Sequence, residues 1–122
     1  MVSGTEVEGF LPLPASVMHI LVALANGEKH GYAILRDVAE LSGGAVRMGS
    51  GTLYGSIKRM LDQGLIEEAE ERPDPALDDQ RRRYYRLTEL GQQVGAAEHR
   101  RLTALIDAAR LRHLGVRPGG VW

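Results

Sequence analysis

A chain of 122 residues, 43% hydrophobic and 25% charged, is long enough for one domain with a real core and too ordinary in composition to be fibrous or wholly disordered. It has no cysteine, which excludes disulfides, thiolate metal sites and cysteine nucleophiles and suits a reducing cytoplasm. A net charge of −1 does not by itself announce a nucleic-acid partner, and no apolar run approaches the length of a membrane span.

The charges are segregated along the chain. Between Arg47 and Arg59 there are three cations and no acid, residues 67–79 hold seven acids and one arginine, and Arg81, Arg82, Arg83 and Arg86 then crowd together. Folding can turn such blocks into a basic face beside an acidic rim. Residues 1–9 are polar and glycine-containing and lack a charged-then-apolar signal pattern, so 1–12 is expected to be a flexible leader.

Pro12 and Pro14 keep the approach to the first helix extended. Val17, Ile20, Leu21 and Leu24 then recur at helical spacing, and Asn26-Gly27 ends the run. A short loop, 28–31, leads to a second helix over about 32–41, with Ile34, Leu35, Val38 and Leu41 inward, stopped by Ser42-Gly43-Gly44. A third helix spans about 50–61. Leu53, Ile57, Met60 and Leu61 form its apolar stripe, and Gly64 is placed as a left-handed cap. Its other residues, Thr52, Tyr54, Gly55, Ser56, Lys58 and Arg59, are small, hydrogen-bonding or cationic. That face suits a major groove, although an ordinary amphipathic surface helix has the same pattern. Three short helices with tight connections form a helix-turn-helix, the third being the recognition helix.

Two extended segments follow, 65–72 and 81–87, joined by a tip, 73–80, whose prolines and aspartates rule out regular structure. This hairpin reads as a wing, with Tyr85 and Leu87 inward and its arginines toward a phosphate backbone. Glu67, Glu68, Glu70 and Glu71 are placed to compete for Arg81, Arg82 and Arg83 across the hairpin. Thr88 can cap a last helix running to about residue 113, roughly 37 Å long. Leu102, Leu105, Ile106 and Ala109 give it an apolar stripe, with Leu90, Val94 and Ala97 upstream; Glu98, Arg100, Arg101, Asp107, Arg110 and Arg112 flank it. Flanks of both charge signs point to a seam with a second copy rather than a lipid-binding face. The expected class is therefore mainly α with a small β hairpin. It divides into a winged helix-turn-helix over 13–88, a dimerisation helix over 89–114 and a flexible tail over 115–122.

The chain resembles the PadR-like transcriptional regulators, over roughly residues 13–114. The resemblance is carried by His30-Gly31-Tyr32, Leu41-Ser42-Gly43-Gly44, Gly51-Thr52-Leu53-Tyr54, Lys58-Arg59-Met60-Leu61, Gly64-Leu65-Ile66 and the run from Arg82 to Gly91. The single last helix is similar to the short-tailed branch of that family. The resemblance implies a homodimeric winged-helix repressor that binds a palindromic double-stranded DNA operator and is released by a small-molecule effector. Members of the family often carry proline after the third-helix tyrosine, where this chain has Gly55.

The expected DNA-binding residues are Ser50, Gly51, Thr52, Tyr54, Gly55, Lys58, Arg81 and Arg82. Ser50 and Thr52 can cap the helix and touch phosphate as well. Tyr54 either donates to DNA or lies flat under the helix. Gly55 either brings the backbone close to DNA or is merely tolerated. Ser56 is a weaker candidate, and Arg59 reads equally as a solvated charge. The alternative function is a winged-helix protein-interaction module, for which the acidic wing argues. No catalytic constellation is visible, the four histidines lack ligand spacing, and Gly49-Ser50-Gly51 lacks the strand and Gly-Lys-Ser/Thr ending of a nucleotide loop, so no enzyme activity, metal or cofactor is expected.

Overall fold

The computed structural model describes residues 4–70, 72–73 and 81–115. Of the tip expected over 73–80, Pro73 stands in a short strand and 74–80 lie outside the described residues, as do 116–122, nearly all of the expected tail.

Where a flexible leader was expected, Gly4–Glu8 form a short helix, α1. The reason is Val7. It is buried in the core, and α1 packs against the last helix, while Phe10, Leu11 and Leu13 press on the same core from the segment that follows. Pro14 then stands extended as the N-cap of α2, Ala15–Leu24, and its carbonyl accepts from Met18 N at 3.1 Å. Val17, Ile20, Leu21, Ala23 and Leu24 are all buried, so α2 is the central helix of the molecule.

Lys29–His30 form a two-residue strand, β1, in what reads from sequence as a plain loop. His30 also caps α3, Gly31–Leu41, with its ring Nδ1 accepting from Ala33 N at 3.2 Å. Ile34 and Val38 are buried and Leu35 is half-buried, but Leu41, expected inward, is exposed. It lies at the helix end, one residue before the chain turns away through Gly43 and Gly44, both at positive φ. Helix α4, Ser50–Asp62, buries Leu53, Ile57 and Met60. It closes at Gly64, φ 77°, where Gly64 N donates to Leu61 O and Leu65 N to Met60 O, satisfying the last carbonyls.

The wing comprises β2, Ile66–Glu68, β3, Arg72–Pro73, β4, Arg81–Arg82, and β5, Tyr84–Leu87. β5 lies between β1 and β2, antiparallel to both, with His30 opposite Tyr84 and Glu68 opposite Tyr85; β3 pairs with β4 farther out. The unforeseen β1 explains why Tyr84 is buried as well as Tyr85: the His30 ring meets it edge-on, centroids 5.4 Å apart.

Helix α5, Glu89–Leu111, is capped by Thr88, whose Oγ1 accepts from Gly91 N at 3.0 Å. Gly91 touches the Leu65 backbone so closely that a Cβ there would overlap the Leu65 carbonyl. Val94 and Ala97 continue this contact into the core, and then α5 leaves the body of the molecule.

Candidate nucleic-acid interface

The apolar stripe of α4 faces α2, α3 and β2, which turns its other side to solvent. Ser50, Gly51, Thr52, Tyr54, Gly55, Lys58 and Arg59 are all exposed there. Ser56 is not: it is 1% exposed, on the core side, and leaves the list of candidates. The reason is angular, since position 56 falls beside Leu53, Ile57 and Met60 on a 3.6-residue helix.

Residue Gly49 is the N-cap of α4, and no side chain caps it, so Ser50 and Thr52 do not take the capping role expected of them. The first-turn N–H groups are thus left to solvent or to a ligand at the positive end of the helix dipole, with no acid in that turn. A Cβ built on Gly49, Gly51 or Gly55 would meet nothing within 4 Å. Packing inside the chain therefore demands glycine at none of the three, and glycine in a helix interior costs about 0.5–1 kcal/mol relative to alanine. The Tyr54 ring lies across Gly31 at the start of α3, yet half of it is exposed, so it is not buried under the helix as core.

The wing arginines divide. Arg83 pairs with Glu68 at 3.5 Å, and Arg86 is held between Glu67 at 2.9 Å and Glu28 at 3.3 Å. The hydrogen bond that Arg86 donates to Glu67, with that to Glu28, raises its pKa, so this cation is committed to its acids. Glu68 thus competes for Arg83 as expected, whereas Glu67 takes Arg86, which was not among its expected partners. Arg81 and Arg82 occupy β4 opposite Pro73 and Arg72; their side chains lie outside the described structure.

A helix whose exposed, glycine-smoothed face carries no acid from Ser50 to Arg59, flanked by a three-stranded wing, is a winged-helix arrangement, and known proteins share it. The description "Transcriptional regulator PadR-like family" matches residues 20–97. The chain belongs to this family. The matched span begins within α2 and ends in the first half of α5. A PadR-like transcriptional regulator from Bacillus cereus superposes with a TM-score of 0.68 at 18% identity, covering 91% of this chain and 98% of that one. A PadR family regulator from Clostridium difficile gives 0.67 at 22% identity, over 80% and 97%. Bacillus subtilis PadR, solved in complex with operator DNA, gives 0.58 at 25% identity, over 75% of this chain and 48% of that one. An uncharacterized 37.1 kDa protein of a Streptomyces fradiae transposon is 36% identical over 77 residues; the chain spans about a fifth of that curated relative's length.

Two exposed residues of this PadR-like chain escaped the sequence reasoning. Tyr32 is 51% exposed, and the Arg36 guanidinium lies over its ring, 5.8 Å from the centroid. Their i, i+4 spacing on α3 was the available signal. Among the described residues no helix is long and apolar enough to cross a membrane, and no three His, Cys, Asp or Glu side chains cluster as metal ligands.

Proposed function

We propose that this chain is a sequence-specific transcriptional repressor that binds a palindromic operator as a homodimer, with α4 in the major groove. The observation that carries the proposal is the exposed face of α4, free of acids from Ser50 to Arg59, where Ser50, Gly51, Thr52, Tyr54, Gly55 and Lys58 stand together beside an uncapped helix start. A groove accepts such a helix when its backbone comes close and its first turn meets phosphate. The operator complex of Bacillus subtilis PadR supports the same role here. Arg81 and Arg82 on the wing are the proposed flanking contacts, and a DNA partner implies work in the cytoplasm.

The dimer is supported by α5, whose outer half exposes Leu105, Ile106 and Leu111. Leu102 and Ala109, half-buried, complete the proposed seam. A cleft of about 270 Å³ between α2 and α5, lined by Met18, Leu21, Val22, Leu87, Gly95 and His99, supports release by a small, largely apolar effector. It lies at the small end of ligand cavities.

Selection from a pool of random duplexes tests the proposal. The expected result is an inverted repeat whose half-sites lie about 34–36 Å apart, or a multiple of that. Recovery of no preferred sequence overturns the proposal in favour of a protein-interaction module, and recovery of a single asymmetric half-site overturns the palindromic dimer. On the selected duplex, Lys58→Ala is expected to weaken binding and flatten the salt dependence by about one unit of slope.

A further inference from the structure

Several described cations are already spoken for. Lys29, Arg83, Arg86, Arg101 and Arg110 each lie within ion-pair distance of a carboxylate. Arg36 does not: among the described residues its contact is the Tyr32 ring, and it is exposed. An aromatic ring under a guanidinium holds the cation in place without neutralising it, and leaves its donors to solvent. Neighbouring Asp37 is turned to Lys29, 3.7 Å away, so it does not cancel Arg36.

The position of the pair matters as much as its charge. Tyr54 of α4 rests on Gly31, and Tyr32 is the next residue, so two half-exposed tyrosines flank the start of α3. The exposed face of α4 thus continues across Gly31 onto Tyr32 and Arg36. When the second helix of a helix-turn-helix enters the major groove, the first crosses the backbone beside it.

We infer that Arg36, carried on the Tyr32 ring, is a further phosphate contact of the DNA interface, reaching the strand beside the groove that α4 enters. The inference rests on the DNA-binding function proposed above. It adds a contact that positions the protein without reading sequence, because phosphate contacts fix register while base contacts specify. Tyr32 is a positioning residue that acts through Arg36.

The test uses the full chain and the duplex recovered by selection, titrated from about 50 to 200 mM salt, with a mixed-sequence duplex in parallel. Arg36→Ala is expected to flatten the salt dependence by about one unit and to weaken both duplexes alike, leaving the preference between them unchanged. Arg36→Gln, which keeps a stem over the ring, should behave as Arg36→Ala does, and Tyr32→Phe should bind as the wild type does. An unchanged slope in Arg36→Ala, or wild-type binding by Arg36→Gln, overturns the inference. A chain that selects no duplex overturns the DNA-binding function instead, so the two failures are distinct. Matching thermal melts of Arg36→Ala and the wild type show that a loss belongs to the interface and not to the fold.

Discussion

Glu98 is the residue whose role differs most from its appearance in the sequence, where it sits among the charges flanking an apolar stripe. In the fold it is 1% exposed. Its carboxylate takes two hydrogen bonds from Arg101, at 2.5 and 3.0 Å, and one from Leu13 N at 3.0 Å. It therefore ties the N-terminal segment to α5. The Arg101 hydrogen bond is the main cause of a lowered pKa, partly offset by desolvation. A lowered folded pKa contributes stability that is present above the ordinary carboxylate range and lost as pH falls through the folded value. Glu98→Gln is thus expected to be less stable at neutral pH and to show a flatter acid limb in urea unfolding. Glu98→Ala, which also strands Leu13 N, should lose about 1–3 kcal/mol at pH 7. Equal acid limbs in wild type and Glu98→Gln would remove this role. Gly91 is the other residue with little slack. Gly91→Ala forces α5 off the Leu65 carbonyl and is expected to cost about 1–3 kcal/mol in unfolding free energy. Neither role is legible locally, because Leu13 lies 85 positions from Glu98, and Leu65 lies just before β2, distant in sequence from Gly91.

Local signals served best at the scale of elements. The stripes of α2 and α4, the Thr88 cap and the Gly64 stop were all legible, since each is written within a few neighbouring residues. β1 was not, because Lys29 and His30 carry no alternation and are extended only through Tyr85 and Tyr84 of a distant strand. On α4 the candidate face was legible except at Ser56, a small polar residue whose burial depends on which neighbours close over it. Gly55 was left open, and the open space around it now makes it testable. Gly55→Ala is expected to stabilise the chain by up to about 0.5–1 kcal/mol in thermal or urea unfolding. If the smooth face serves close approach to DNA, the same variant binds the selected duplex more weakly. A variant that is both more stable and equally tight in binding would leave Gly55 without a part in recognition.

At the scale of the whole molecule, the two halves of α5 face different surroundings. Its first half is built into the core through Gly91, Val94 and Ala97. Its second half carries Leu105 and Ile106, 59% and 64% exposed, into solvent. Leu105→Asp combined with Ile106→Asp is expected to convert the proposed dimer to monomer in sedimentation while leaving the helical content of the body intact. A double variant that sediments as the wild type does would place the seam elsewhere. The helix is 23 residues long and unbroken, about 34 Å from end to end. In the homodimer proposed above, association through α5 would reach the core through a single rigid element and couple to folding by mass action. The melting temperature should rise with protein concentration, and a cell holding few copies holds them less securely folded as well as less often paired. Abundance itself would then be a control on the proposed dimer, one that operates before any DNA is met.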